Sequence, residues 1–301
     1  MRMVFKNMVS DRYFQAVIFD LNGTLVEIYK VSEYHQNIRL IAETLGLEYE
    51  RFKDAWAKSY DAFPFGDYLD VSDRFEKAFE IYFQSQSYTI EKEKLDKAIE
   101  IRYEYIANQA LQIRPNVFEA LDWLKAHGYK IGLISNCTME TPRAWPKNPL
   151  SKYFPKPIFS CEVKVTKPDR KIFELVLETI DHISPEKTIY VADGDDLEFD
   201  TAISMGMHPI LITYDTTDAY RHKPFPNIPD KITDFKELPE IISIFENQRL
   251  THKSSKSIEQ ILIEKFGLRT MAENACKKIE HKGVSYSVCK YQGKIEIHRI
   301  K

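Results

Sequence analysis

Short apolar runs recur along the chain and predict the strands of a parallel sheet. The first, Phe14 to Phe19, has the length and branched side chains typical of a strand buried on both faces. The other predicted strands lie at 130–134, 158–160, 188–192, 209–212 and 231–232. Helical spacing of apolar residues separates them, at 115–127, 168–179, 201–205 and 238–245, and a polar loop is predicted at 138–149. This alternation predicts an α/β fold, a doubly wound parallel sheet with helices on both faces.

A long helical stretch interrupts the alternation directly after the first strand. Apolar residues keep helical spacing up to Leu45, and Gly46 follows, as is typical of a helix end. Further helices are predicted at 50–62, 72–84 and 91–109, with a loop at 63–66. We therefore expect a helical insertion at 29–111 between two parts of one core, 10–28 and 112–248.

The end of the chain differs in pattern and in charge. Residues 252–257 are polar and typical of a linker, and 258–279 predict one or two helices broken near Gly267. Alternation at 284–291 and 294–300 predicts a β-hairpin. From residue 251 onward there are 11 Lys and Arg against 5 Asp and Glu, a net charge of +6. The whole chain has 42 Lys and Arg and 45 Asp and Glu, so the rest of it carries a net charge of -9.

We therefore expect a basic α+β extension at 249–301. Its charge would suit an anionic partner, but a charged surface on a small module is the favoured explanation.

Composition limits the classes of protein that this chain fits. With 301 residues, 44% of them hydrophobic, it can bury at least one substantial core. A net charge of -3 gives no argument for nucleic-acid binding by the whole chain. No run of about 18 apolar residues is present, and no apolar segment of a secretory signal precedes Asp11. We expect a cytoplasmic protein without a membrane-spanning helix.

The cysteine and histidine residues form no recognisable metal or redox motif. The eight His residues show no HExxH spacing, and the four Cys residues show no CxxC spacing. Reduced thiols are therefore expected, although a pairing of Cys276 with Cys289 is left open. Cys137 is expected to be structural, because no His lies within motif range to activate it.

Polar residues follow three of the predicted strands. Asp20 follows the first strand, Ser135 the second, and Asp193 the strand at 188–192. Because functional residues of open parallel sheets lie at the carboxyl ends of the strands, we expect these three side chains to share one edge.

These strand ends belong to four motifs that together resemble the haloacid dehalogenase superfamily. The motifs are Phe19-Asp20-Leu21-Asn22-Gly23-Thr24-Leu25, Ile134-Ser135-Asn136, Thr166-Lys167-Pro168-Asp169, and Val191-Ala192-Asp193-Gly194 with Glu198 and Gly206-Met207. Their order and spacing agree over residues 14–245, and four motifs in order are far more specific than one. The resemblance implies that the insertion is a helical cap and that the protein is a Mg²⁺-dependent phosphatase with a small phosphorylated substrate.

The resemblance and elementary chemistry together assign roles to these residues. A carboxylate such as Asp20 can attack a phosphoryl group and form an aspartyl-phosphate, although a lone Asp in this context would be read as a turn residue. Asp193 would repel Asp20 unless a cation lay between them, and oxygen ligands suit Mg²⁺. By resemblance, the backbone carbonyl of Asn22 is a third metal ligand. Ser135, Asn136 and Lys167 are expected to bind the phosphoryl group, and Lys167 also to support catalysis.

A second acid of the last motif is expected near Asp193, but three residues compete for that role. Counting back from Gly206-Met207 favours Glu198, and Asp195 or Asp196 would serve instead. The four arginines of the insertion are expected to be solvated rather than to bind substrate. They are Arg39, Arg51, Arg74 and Arg102.

Asn22 is a departure from the family pattern, which usually has Asp at this position. An amide cannot act as the general acid and base, a contribution of about 10²–10⁴-fold. Three explanations stay open: a natural Asp replaced by engineering, a leaving group that needs little protonation, or a protein that binds phosphorylated ligands without rapid hydrolysis. A 2-haloacid dehalogenase would also dispense with the second Asp, but Asp193 and its implied metal favour phosphoryl chemistry.

Overall fold

Six strands form one parallel sheet in the first part of the chain. The structure is a computed structural model that describes residues 12–65, 67, 70–84, 86–254, 263, 275–281, 284–291 and 294–300. The strands are β1 Ala16–Phe19, β2 Lys130–Ser135, β3 Ile158–Phe159, β4 Thr188–Ala192, β5 His208–Ile212 and β6 Lys231–Ile232. They lie in the order β3-β2-β1-β4-β5-β6. Every residue of β1 and β4 is buried, as expected of strands covered on both faces.

Helices connect and cover these strands, which confirms the predicted doubly wound α/β fold. They are α1 Val31–Leu45, α2 Tyr49–Ser59, α3 Val71–Phe83, α4 Lys92–Ala110, α5 Val117–Ala126, α6 Glu140–Ala144, α7 Ser160–Val163, α8 Arg170–Thr179, α9 Glu198–Ser204 and α10 Leu238–Ser254. One glycine allows a close helix–sheet contact, because a Cβ on Gly132 of β2 would lie 2.7 Å from Cγ2 of Val176 on α8.

The helical insertion expected after the first strand is present as α1 to α4. These helices bury a core of their own, in which the rings of Phe52, Trp56 and Phe75 pack together. Gly46 ends α1 in the left-handed region at φ 71°, as the sequence predicts. Asp70 caps α3 by accepting a hydrogen bond from the backbone of Ser72. The insertion therefore packs as a unit and also forms part of the cavity described below.

The predicted loop at 138–149 is wrong. The structure has α6 there, followed by short 3₁₀ helices at Trp145–Lys147 and Pro149–Lys152. The prolines that suggested a loop lie in the first turns of these elements, where a missing N–H removes no helical hydrogen bond. Helix α9 also begins at Glu198 rather than at the predicted Thr201.

A three-stranded antiparallel sheet lies near the end of the chain. Its strands are β7 Cys276–His281, β8 Val284–Tyr291 and β9 Lys294–Arg299, in the order β7-β8-β9. The chain divides into two compact units, Met1–Ile242 and Ser243–Lys301, and this sheet belongs to the second. Ile279, Tyr286 and Val288 form its small core. The predicted hairpin of β8 and β9 is confirmed.

Two other predictions for this unit are wrong where they can be checked. Residues 252–254, expected in a linker, belong to α10, whereas 255–257 lie outside the described residues. Residues 276–279, expected to be helical, form β7, because they complete the sheet by pairing with β8. Of the rest of the predicted helical stretch, Ile263 is helical, and most of the other residues lie outside the described ones.

The second unit also contains a disulfide, so the expectation of four reduced thiols is wrong. Cys276 and Cys289 lie directly opposite each other on β7 and β8, with their Cα atoms 4.1 Å apart, and are bonded. The close approach is that of a non-hydrogen-bonded antiparallel pair. Cys137 and Cys161 are free and buried. Cysteine usage therefore no longer supports the predicted cytoplasmic location. Within the described residues, no helix is both long and apolar enough to cross a membrane.

Candidate active site

The carboxyl ends of β1 and β4 bring two of the predicted acids together. Phe19, the last residue of β1, pairs with Val191 near the end of β4. Asp20 follows, and its backbone N–H donates to the carbonyl oxygen of Val191 at 3.0 Å. Asp193 follows β4 at the same edge. Both side chains are almost fully buried, with 4% of Asp20 and 2% of Asp193 exposed.

Lys167 lies between two carboxylates. Its Nζ is 2.5 Å from Oδ1 of Asp20 and 2.9 Å from Oδ2 of Asp196, and its side chain is fully buried. The hydroxyl of Thr24 donates to the other oxygen of Asp20 at 3.2 Å. One oxygen of the predicted nucleophile is therefore held by a cation and the other by a neutral donor, which fixes the orientation of the carboxylate.

Asn136 fixes the backbone that carries Lys167. Its Oδ1 accepts a hydrogen bond from the backbone N–H of Lys167 at 2.8 Å, and its Nδ2 donates to the carbonyl oxygen of Lys167 at 3.1 Å. The amide predicted to bind substrate thus positions the lysine, although Asn136 also lines the cavity. The hydroxyl of Ser135 is fully buried and makes a long contact, 3.5 Å, to the carbonyl oxygen of Asn136.

Burial and the attraction between Asp20 and Lys167 shift the pKa of each of these two groups in opposite directions. Burial, assisted by the neighbouring Asp193 and Asp196, raises the pKa of Asp20 to about 7 against the attraction of Lys167. Burial alone would lower the pKa of Lys167, but Asp20 and the surrounding acids outweigh it and hold that pKa well above its ordinary value. Lys167 is therefore a permanent positive charge at the site.

Three buried acids form a group that we call the carboxylate cluster, namely Asp20, Asp193 and Glu198. One oxygen of each lies within 4.8 Å of the others. Glu198 is fully buried, and neither of its carboxylate oxygens has a hydrogen-bond partner among the described residues. Burial, opposed by Lys167, raises the pKa of Glu198 to about 8. A buried carboxylate without a partner is costly. Lys167 and Arg221 pair with Asp20 and Asp193, so Glu198 is the acid of the cluster whose burial is not offset by a direct partner among the described residues.

The structure distinguishes the three candidates for the second acid. Asp196 is paired with Lys167. The carboxylate of Asp195 accepts hydrogen bonds from the backbone N–H groups of His222 and Lys223, at 2.9 and 2.8 Å. Glu198 alone of the three lies in the carboxylate cluster, as its spacing from Gly206-Met207 predicts.

The donor set of the cluster fits Mg²⁺. Mg²⁺ binds carboxylate and carbonyl oxygens, and the unpartnered oxygens of Glu198 are ligands of this kind. Asn22, whose carbonyl is the third predicted ligand, lines the same cavity as Asp20 and Asp193.

Arg221 and Tyr214 hold Asp193 and were not predicted. Oδ2 of Asp193 accepts a hydrogen bond from the Tyr214 hydroxyl at 2.5 Å and lies 2.6 Å from Nη1 of Arg221. Burial raises the pKa of Asp193, and these two partners oppose the rise. Gly23 leaves room for them, because a Cβ there would lie 2.4 Å from Oδ2 of Asp193. Both partners follow β5 in a stretch without a motif, so the sequence offers no signal for them.

A cavity of about 440 Å³ is lined by Asp20, Asn22 and Asp193 together with a second group of residues. Asp20, Asn22 and Asp193 lie on the strand-end side. The helical insertion and neighbouring loops add aromatic side chains, two arginines and a histidine. These are Tyr29, Tyr34, Tyr60, Tyr105, Tyr220, Arg74, Arg102 and His222. We call the five tyrosines and two arginines the cavity wall.

Comparison with known sequences matches these features to one family. The model of the haloacid dehalogenase-like hydrolases matches residues 14–206. A phosphorylated carbohydrates phosphatase of Thermotoga maritima is 27% identical over 181 residues, which cover 60% of this chain and 76% of that protein. A glyceraldehyde 3-phosphate phosphatase of Methanothermobacter thermautotrophicus is 31% identical over 147 residues, covering 47% of this chain and 64% of that protein.

Solved structures share the fold. A 2-haloacid dehalogenase from Pseudomonas syringae pv. tomato superposes with a TM-score of 0.55 at 18% identity, over 77% of this chain and 99% of that one. At this identity the likeness concerns the fold alone.

Proposed function

Because the chain belongs to the haloacid dehalogenase-like hydrolases, we propose that it is a Mg²⁺-dependent phosphatase of small organic phosphates that uses Asp20 as nucleophile. The observation that carries the proposal is the carboxylate cluster beside Lys167, since it combines a nucleophile, a fixed cation and, in Glu198, an unpartnered metal ligand. The phosphatase relatives support phosphoryl rather than halide chemistry.

The carboxylate cluster and the Asn22 carbonyl would hold Mg²⁺, which when bound supplies positive charge to the oxygens of the transferring phosphoryl group. Asp20 attacks the phosphorus while the bond to the leaving oxygen breaks, which gives an aspartyl-phosphate. Lys167 offsets the charge that collects on the phosphoryl oxygens. Water then attacks the phosphorus, releases inorganic phosphate and restores the Asp20 carboxylate.

Asn22 restricts the leaving groups that this site can release. An amide donates a hydrogen bond but cannot protonate a departing alkoxide, so an acyl phosphate or another phosphoanhydride fits best. The same residue favours a second candidate, a phospho-ligand binding or regulatory protein in which hydrolysis is slow.

Hydrolysis assays of the full chain and of Asn22→Asp separate these candidates. We expect the chain to hydrolyse acetyl phosphate with Mg²⁺, and Asn22→Asp to raise the hydrolysis of propyl phosphate, whose departing alkoxide needs a proton, by about 10²–10⁴-fold. Asp20→Ala should remove both activities. If neither form releases phosphate from an ester or an anhydride, the phosphatase proposal fails and the binding function is favoured. Metal-independent release of halide from a 2-haloacid would instead indicate a dehalogenase.

A further inference from the structure

Arg74 is a buried cation in the cavity wall. It lies on α3, and only 5% of it is exposed. Its guanidinium carbon is 4.1 Å from the centroid of the Trp56 ring. Nε donates to the hydroxyl of Ser59 at 3.2 Å, and Nη2 donates to the carbonyl oxygen of Trp56 at 3.3 Å. Two neutral acceptors and a ring face therefore hold the guanidinium in a fixed position.

No carboxylate pairs with Arg74 among the residues that the structure describes, whereas Arg102 has one. Arg102 lines the same cavity and is equally buried, and its Nε lies 3.2 Å from Oε1 of the buried Glu140. At the strand ends, Asp20 and Asp193 are compensated by Lys167 and Arg221. Burying a charge is costly unless an opposite charge accompanies it. Within the described part of the chain, Arg74 thus has no ion-pair partner, whereas Arg102, the other buried arginine of the cavity wall, has Glu140.

We propose that Arg74 binds a second anionic group, a carboxylate or a phosphate, on the leaving group of the substrate. The inference rests on the proposed phosphatase function and narrows it to small phosphates with two anionic ends. Tyr60 supports it, because its ring lies 5.5 Å from the Arg74 guanidinium and also lines the cavity. Burial raises the pKa of Tyr60, so its hydroxyl stays a neutral donor. One end of the substrate would face the carboxylate cluster and the other would face Arg74.

A matched series of substrates tests this without altering the cavity wall. The series is propyl phosphate, 3-phosphooxypropanoate and propane-1,3-diol bisphosphate, assayed on the full chain carrying Asn22→Asp so that esters turn over. We expect kcat/KM to be about 10- to 100-fold higher for a compound with two anionic ends, as one charge-assisted contact would give. The better of the two compounds with two anionic ends identifies the second group as carboxylate or phosphate.

Variants of Arg74 connect the preference to this residue. Arg74→Gln should reduce the preference ratio to near one, Arg74→Lys should keep part of it, and circular dichroism checks folding. Arg39→Gln is the control, because Arg39 is an exposed arginine of α1 that stacks on Tyr49 outside the cavity. If Arg74→Gln does not fold, the substrate series decides alone, and equal hydrolysis of all three compounds overturns the inference while the phosphatase function stands.

An absence of hydrolysis would bear on the proposed function, and the role of Arg74 would then be tested by binding. If no ester is cleaved, titration calorimetry of the full chain with the same compounds replaces the assay, and the proposed function fails only if acetyl phosphate is not cleaved either. Binding that prefers two anionic ends and is lost in Arg74→Gln would still support the inference, and binding without this preference would overturn it.

Discussion

The two sides of the cavity differ in charge and in their origin along the chain. The strand-end side consists of acids that follow β1 and β4, together with the cations Lys167 and Arg221 that neutralise them. The cavity wall consists of neutral tyrosines and two arginines, one paired and one without a described carboxylate partner. A transferring phosphoryl group needs the first environment and an anionic leaving group needs the second. Under the proposed function, the core would carry out the chemistry and the insertion would contribute most of the substrate selection.

Replacing Lys167 should give the largest effect on activity, because it removes the buried cation that pairs with the proposed nucleophile Asp20. We expect Lys167→Met to lower kcat/KM by about 10²–10³-fold, as for loss of one preorganised transition-state donor. The measurement is hydrolysis of acetyl phosphate, with Lys164→Met as control, since Lys164 is an exposed lysine that lies 3.5 Å from Asp67. Activity within a few-fold of the unaltered chain would show that Lys167 does not support the reaction.

The second-largest effect is expected in the pH dependence of stability, to which the carboxylate cluster should contribute and the tyrosines of the cavity wall should not. Burial holds the pKa of Asp20 at about 7 and that of Glu198 at about 8, above the ordinary 3.8 and 4.5. Between pH 4.5 and 8 the folded protein keeps protons that the unfolded chain has lost, so the free energy of unfolding of the metal-free protein should fall as pH rises. No such trend is expected from the wall tyrosines, whose raised pKa values lie above this range.

Mg²⁺ should reverse this loss, because it binds the ionised acids of the folded state. At about 100 times Kd, Mg²⁺ adds about 2.7 kcal/mol and raises Tm by roughly 5 °C. We expect this rise at pH 8 and a much smaller one at pH 5, measured by thermal unfolding with Mg²⁺ or with EDTA. Equal rises at both pH values would contradict the metal assignment of the carboxylate cluster.

The sequence predicts one side of the cavity much better than the other, and the reason is physical. Asp20 and Asp193 directly follow buried strands, and the register of a parallel sheet brings such residues together. Glu198 follows from its spacing within a motif. Arg74 and Arg102, in contrast, lie on helices with similar sequence patterns, and the prediction that they are solvated is wrong, because both are buried. Their difference depends on Glu140, which only the folded chain brings to Arg102.

The sequence also did not identify the residues that hold Lys167 and Asp193 in position. Asn136 was predicted to contact substrate, and the structure shows that its amide holds the backbone of Lys167. Tyr214 and Arg221 reach Asp193 from a loop whose path depends on tertiary packing. Motifs identify which residues carry chemistry, but the residues that hold them are set by the local hydrogen-bond network.

Arg221 is a cation of the strand-end side that pairs with Asp193, a proposed ligand of Mg²⁺. Its positive charge would therefore repel the metal ion. We expect Arg221→Gln to bind Mg²⁺ about 10-fold more tightly, since the variant no longer repels the ion. Loss of an orienting partner would have the opposite effect, but Tyr214 still holds the same oxygen of Asp193. Titration calorimetry at pH 8 measures the affinity, with the exposed Arg170→Gln as control. Weaker binding by Arg221→Gln would show that orientation outweighs repulsion.

The smallest effect is expected at Tyr105 in the cavity wall, whose buried hydroxyl has no hydrogen-bond partner among the described residues. A buried donor without a partner destabilises the folded state, so Tyr105→Phe should raise the free energy of unfolding by about 0.5–1 kcal/mol. If the hydroxyl instead serves the substrate, the same variant should raise KM several-fold. Tyr153→Phe is the matched control, because the Tyr153 hydroxyl donates to Asp122 at 2.7 Å and its loss should lower stability. Thermal unfolding and KM are measured on the same preparations. A stabilised Tyr105→Phe with unchanged KM would assign this tyrosine to packing, and a destabilised one would show that its hydroxyl already has a partner.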